Sequence, residues 1–529
     1  MRLVRYTLVC LSGLLFAAVT PVSAGQQTPP PPAAVAPQAE PSGPVRTLSI
    51  EEAVELALRN NLGLQIERLN PQVQQESIAQ ARAGYLPTLR ATFGTSGSTI
   101  EPQDFTEGSD VYSNDSVSSQ FTFIQPSLPK LNTNIQASWN SARSTTGRLG
   151  AAFNPNLNSQ FSISAGQPLW RNLFINPVKT NIEQAVLSRQ IADINLRQRV
   201  VGTERSVRQA YWNLVGAIER LNVARQNLAL SEEQLKNNRV RVEVGTMAPI
   251  DIIAAEAEVA GNQESVIVAE ADIQTREDQL RMLIFDPSQP DFWTARIEPT
   301  NRPVVQALQV DADAAIASAL ESRTDIVSQR RQLQIDDLSL KLAKNQTLPD
   351  LTLNADISGS GSGGTRFFFR PGTVIEERPP AERPFSDALG DAFGFTYPRW
   401  SVRVTYAYPI GKEAAEATYA RAKLQRQQQD ANLKGLELSI VQQVRSAARA
   451  VQSNFQRVQS TRVARELAEK RLEAQQKRFD VGLSTLFELT QAQRDVVLQR
   501  NSELNAVIAY NQALVDFQLV QVAPLGGGF

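Results

Sequence analysis

The chain runs to 529 residues, room for several ordinary domains or one very elongated one. It is 42% hydrophobic, 7% aromatic and 20% charged, which excludes wholesale disorder and a bundle of membrane helices. The 53 basic and 54 acidic residues leave a charge of −1, no footprint for nucleic acid, and the absence of histidine excludes Cys/His zinc sites and Ser-His or Cys-His catalysis.

Residues 1–24 have a basic start (Arg2, Arg5), an apolar run and a Val22-Ser23-Ala24 ending, which is the pattern of a secretory signal peptide. The one cysteine, Cys10, lies near the start of that run, the wrong end for a lipid anchor. A Pro-rich leader, 25–45, is expected to be extended. Helical periodicity then covers 49–84, and a short strand alternates Leu89, Ala91, Phe93 and Thr95 with Arg90, Thr92, Gly94 and Ser96. The stretch from Ser118 to Ser144, with Phe121, Phe123, Ile135 and Trp139, could be an extra hairpin but reads better as an ordered extracellular loop. A second strand alternates Phe161, Ile163 and Ala165 with Ser162, Ser164 and Gly166, and Pro168 ends it. Helices are expected over 177–243 and 250–285.

The same order then repeats. A helix covers 311–346, and a strand alternates Leu351, Leu353, Ala355 and Ile357 with polar residues. An irregular Gly- and Pro-rich loop follows, then a strand with Val402, Val404, Tyr406 and Tyr408 on one face, and helices over 412–480 and 486–521. "AVELALRNN" from Ala53 matches "AIASALESR" from Ala315 at an offset of 262, and "RVEVGTMAPIDIIAA" from Arg241 matches "RFDVGLSTLFELTQA" from Arg478 at 237. The chain therefore divides into a first repeat, 46–290, a connector, 291–309, a second repeat, 310–523, and a tail, 524–529.

Val200, Val207, Leu214, Leu221, Leu228, Leu235 and Val242 recur every seven residues, and the column returns as Val444, Val451, Val458, Leu472 and Phe479, broken by Glu437 and Arg465. Such a repeat imposes left-handed coiled-coil packing. At 1.5 Å per residue, 177–243 makes a rod of about 100 Å, far too long and polar for a bilayer. A structural coiled coil is the plain reading of these helices alone. The four matched strands, apolar on one face and small or charged on the other, suit a membrane barrel with a wet lumen instead. Four strands cannot close a barrel, so several chains would each have to supply a sector.

The doubled unit, the "YLPTL" helix-to-strand junction and the repeated "VG" turn followed by an acid resemble the TolC-like outer-membrane efflux proteins. That resemblance, from about Leu48 to Val522, implies a mainly α fold with a transmembrane β sector. It implies three protomers sharing a twelve-stranded outer-membrane barrel, continuous with a coiled-coil tunnel in the periplasm. It also implies a channel partnered by a periplasmic adaptor and an inner-membrane pump, in tripartite efflux or type I secretion. Val244, Gly245 and Thr246, with Val481, Gly482 and Leu483, would then meet the adaptor, while Asp251 and Glu488 would lie at the tunnel's aperture. Each has a simpler reading: the glycines supply the left-handed residue that stops a helix, the acids favour a helix N-terminus, and Thr485 to Glu488 fits a capping box. Gln491, Ser484 and Phe479 depart from the family's best-known aperture, so a different network must hold this one shut. Neither a cofactor nor a metal is implied, and enzyme activity is not expected. The competing reading is a periplasmic or surface coiled-coil scaffold without a channel.

Overall fold

The computed structural model describes residues 44–101, 111–148, 151–369, 376–411 and 413–525. The signal-peptide reading, nearly all of the leader and the last four residues of the tail lie outside them. A short strand, β1 (Val45–Leu48), opens the described chain. The helix expected over 49–84 is two helices, α1 (Ile50–Asn60) and α2 (Leu62–Arg82), and that over 311–346 is α5 (Ala312–Ser322) and α6 (Thr324–Gln346). The breaks fall at Asn61 and Arg323, an offset of 262 again, and both residues leave the helical region, with ψ of 117° and 136°. Asn61 can do so because its side chain accepts from the Leu64 N–H and caps α2, while Ser49 and Glu52 form a capping box on α1.

The long helices are α3 (Pro177–Glu243), of 67 residues, and α8 (Glu413–Asp480), of 68. Asn176 caps α3 through the Lys179 N–H at 2.8 Å, with Pro177 pre-set at the first position. The return helices, α4 (Ile250–Ile284) and α9 (Leu486–Leu519), cover only half that length, and α2 and α6 line much of the remainder. No described helix is long and apolar enough to cross a membrane. The heptad column is buried or half-buried from Val200 to Val242 and from Val444 to Phe479. Where Arg465 interrupts it, the guanidinium binds Glu503 and, at 2.8 Å, Glu469, so charge pairing replaces apolar packing at that layer.

Two cores sit partway along the rods. The first packs α1, α3 and the end of α4 around Tyr211, Leu214, Leu280 and Ile284. Here β1 pairs in parallel with β6 (Arg296–Pro299), and the buried Tyr211 hydroxyl donates to the Leu48 carbonyl at 3.0 Å while accepting from the Asn301 N–H. The second packs α5, the start of α6, α8 and α9 around Ile326, Val444 and Tyr510.

The sheet is where the sequence misled. Residues 118–144 are not a loop: β3 (Tyr112–Gln125) and β4 (Asn134–Thr146) form a full antiparallel hairpin between β2 (Thr88–Ile100) and β5 (Phe153–Pro168). β5 then pairs with β7 (Asp350–Phe369), whose first half pairs with β9 (Pro398–Ala407) and whose far half pairs with β8 (Glu376–Arg383). The sheet is open, and its outer edges are β2 and β9. Leu89 and Phe93 on β2 and Val402 and Val404 on β9 are all more than 60% exposed, on one face. The stretch expected as an irregular Gly- and Pro-rich loop is instead, among its described residues, the far half of β7, then β8 and a helix, α7 (Phe385–Phe393), which lies on that apolar face. A Cβ at Gly359 or Gly361 would stand 2.2 or 2.1 Å from the carbonyl oxygen of Ala392 or Ala388, so only glycine admits the helix.

Candidate functional site: the two helix turns

Each long helix starts close to the sheet, α3 nine residues after β5 and α8 six after β9. The far ends, about 100 Å away along each rod, are two turns with the same geometry. In the first, the Gly245 N–H donates to the Val242 carbonyl at 3.0 Å and the Thr246 N–H to that of Arg241 at 2.8 Å. In the second, Gly482 donates to Phe479 at 3.1 Å and Leu483 to Arg478 at 2.8 Å. This pair of bonds is the Schellman motif, which needs a left-handed residue at its centre, and Gly245 and Gly482 have φ of +76° and +77°. Nothing lies within 4 Å of where either Cβ would be, so the requirement is conformational alone. Val244, Val481 and Leu483 are about 70% exposed, as are Ile250 and Phe487 beside them. Apolar side chains presented together on a helix turn have a high cost in water unless something covers them.

The two acids have different environments. Glu488 completes a capping box with Thr485: each main-chain N–H reaches the other's side chain at 3.3 Å. The Ser484 hydroxyl and the Gln475 amide also donate to its carboxylate, at 2.7 and 3.1 Å. The Ser484 hydroxyl, followed by the Thr485 N–H, holds the Glu488 carboxyl below its ordinary pKa. Asp251 stands in the first turn of α4, where Pro249 offers no side-chain cap, and its carboxylate has no partner among the described residues. The structure therefore engages Glu488 in its own turn and leaves Asp251 available.

Sequence reasoning missed what joins the two turns. Arg241, near the end of α3, donates to Asp480 at 2.9 Å, and its guanidinium lies 4.8 Å from the centre of the Phe479 ring at the end of α8. Arg494 on α9 pairs with Glu258 on α4, so the return helices are linked as well. The 237-residue offset superposes Arg241 on Arg478, but only one of the two faces the other repeat's acid, and that choice is invisible in sequence.

An open sheet apolar on one face, carried on paired helical rods that end in exposed turns, defines the outer-membrane efflux type of chain. The chain belongs to the outer membrane efflux protein family, which matches it over residues 125–284 and 315–520. It is 21% identical over 359 residues to outer membrane protein TolC of Vibrio cholerae, covering 68% of this chain and 76% of that one. It is 23% identical over 290 residues to nodulation protein T of Rhizobium leguminosarum bv. trifolii, covering 53% of this chain and spanning 56% of that protein's length. Its fold matches the CmeC outer membrane channel of Campylobacter jejuni with a TM-score of 0.61 at 14% identity, over 89% of this chain and 85% of that one. The family is one of channels rather than enzymes.

Proposed function

We propose that three copies of this chain close a barrel in the outer membrane and continue it as a helical tunnel through the periplasm. The tunnel receives substrate from a periplasmic adaptor and an inner-membrane pump, in a tripartite efflux or type I secretion assembly. The observation that carries this reading is the separation along each rod. A sheet with exposed apolar edges lies at one end of α3 and α8, and two matched apolar turns lie about 100 Å away at the other. An open edge is not tolerated in lipid, so the sheet needs further copies, and its Leu89–Phe93 and Val402–Val404 face needs outer-membrane lipid. The repeats 46–290 and 310–523 each supply one turn. Val244, Gly245 and Thr246, with Val481, Gly482 and Leu483, meet the adaptor. Asp251, unpaired among the described residues, projects into the aperture, whereas Glu488 serves first as a cap and second as an aperture wall.

The test is a set of cysteine substitutions at Val244 and Leu483 for crosslinking in cells, alongside bilayer conductance of the purified oligomer. Heat-resistant oligomers in the outer membrane, discrete conductance and crosslinks to a periplasmic protein are expected. An oligomer that never conducts would return the chain to a scaffold role.

A further inference from the structure

Among the described residues the β3–β4 hairpin has no full-length counterpart in the second repeat, and its position in the sheet has a consequence for the channel's exit. The hairpin is not a flap on a four-stranded sector. β3 pairs with β2 from Tyr112 to Ile124 and with β4 from Asn114 to Gln125, and β4 pairs with β5 from Asn134 to Ser144. Without it, β2 would have no partner among the described strands.

Both faces also run through it unbroken. On one, Phe93 meets Phe121 with ring centres 5.6 Å apart, Phe121 stacks on Trp139 at 5.5 Å, and Trp139 bonds Ser159 through its indole N–H. The row continues to Phe161, which stacks on Phe393 of α7. Aromatic residues side by side across successive strands mark the outer surface of a membrane barrel, and here α7 covers the Trp139–Phe161 end of the row while Phe93 stays exposed. On the other face the hairpin offers Ser118, Gln120, Ser138 and Asn140, and the Ser138 and Ser162 hydroxyls are hydrogen-bonded at 2.8 Å. Over these residues that face is polar and uncharged, with Ser118 and Gln120 exposed and Ser138 buried against Ser162, a composition that suits a lumen lining. Both strands exceed the nine to eleven or so residues that a tilted strand needs to cross a bilayer.

We infer that the β3–β4 hairpin is part of the membrane wall, so that each copy contributes six strands, β2-β3-β4-β5-β7-β9, and three copies close an eighteen-stranded barrel rather than a twelve-stranded one. This rests on the trimeric channel proposed above. The edges suit that closure: β2 leaves the helical end and β9 returns to it, so β9 of one copy meets β2 of the next antiparallel. Barrel diameter grows roughly linearly with strand number, so the exit is about half as wide again as a twelve-stranded one, within the range of barrels that keep an aqueous channel. The added wall brings hydroxyl and amide groups but no charge to the lumen over Ser118–Gln120 and Ser138–Asn140, which suits bulky polar cargo without selecting its sign.

The experiment places single cysteines at Phe123 and Gln120, next-but-two neighbours on opposite faces of β3, in a chain whose one native cysteine is Cys10. The full-length oligomer in outer-membrane vesicles is treated with a charged, membrane-impermeant maleimide, and strands are counted by electron cryo-microscopy of the purified assembly. Labelling at Gln120→Cys, loss of labelling at Phe123→Cys and eighteen strands in cross-section are expected. Equal labelling at both sites, or a twelve-stranded wall with the hairpin outside, overturns the inference and leaves the channel reading intact. Absence of any oligomer from the outer membrane removes both.

Discussion

Replacing Gly482 with valine isolates the turn from the rod. The site is open, so the added side chain meets nothing, and the whole cost comes from φ at +77°. Holding an L-residue there costs roughly 1–2 kcal/mol, and a β-branched one stands at the upper end or beyond. The two bonds to Phe479 and Arg478 close only in this conformation, and each contributes about 0.5–1.5 kcal/mol that is at risk if the turn opens. A penalty of about 2 kcal/mol shifts the local equilibrium by about thirtyfold. It touches the end of the column at Phe479 but not the buried heptad residues further along the rod, Val458, Val451 and Val444. Gly482→Val should therefore assemble in the outer membrane at normal levels yet crosslink poorly to the adaptor and export less. Gly245→Val should act alike, the double variant should be worse, and Gly482→Asn should lose least because asparagine tolerates the left-handed region. The assay is crosslinking and export at matched amounts of oligomer. Normal values in the double variant would reduce both glycines to helix stops, and the adaptor assignment would be withdrawn.

Val404→Arg, on the exposed apolar face of β9, should weaken assembly by about 2–4 kcal/mol near mid-bilayer, while Thr405→Arg on the opposite face should assemble and change conductance. Equal damage from both, read as heat-resistant oligomer, would refute the facing. Arg323 is fully buried and bonds Asp325 twice, at 2.9 and 3.0 Å, Gln443 at 2.7 Å and the Val520 carbonyl. Arg323→Met strands Asp325 and should cost about 3–5 kcal/mol in thermal unfolding, with much of it recovered by adding Asp325→Leu. Glu488 has a folded pKa below its ordinary 4.5, so its cap is complete above that value and is lost as pH falls through the lower, folded one. Hydrogen exchange in the first turn of α9 should accelerate on acidification in the native chain and be fast and pH-independent, after correction for intrinsic rates, in Glu488→Ala.

The helices were legible because nothing competes with a seven-residue column over so many turns, and their observed bounds fall within about two residues of the periodicity. The breaks at Asn61 and Arg323 were not, since apolar spacing continues across them and only ψ changes. The hairpin escaped for a different reason. Its outward face carries Ser113, Asp115 and Ser119 among Val117, Phe121 and Phe123, so alternation is diluted by small polar residues of low strand propensity. What makes these segments strands is the register of β2 and β5 on either side, which a local pattern does not contain. β1 and β6 are four residues each and some 250 apart, and no periodicity can announce such a pair. At the turns, the glycines were readable from composition. The Thr485–Glu488 capping box was readable too, and the structure has both of its bonds; what the sequence left open was that Ser484 and Gln475 also engage the Glu488 carboxylate while Asp251, behind Pro249, has no cap.

The β3–β4 hairpin also constrains how such a wall can grow. In an antiparallel sheet each strand reverses the one before, so inserting a single strand would deliver β5 to the far rim and start α3 on the wrong side. An inserted pair restores direction, and everything downstream keeps its orientation and its place relative to the other repeat. The wall can be lengthened only in even steps, and each step leaves the rods untouched. Sheet and rod are thus independent variables of one chain: the two repeats carry rods of 67 and 68 residues, while the described sheet differs between them by the β3–β4 pair.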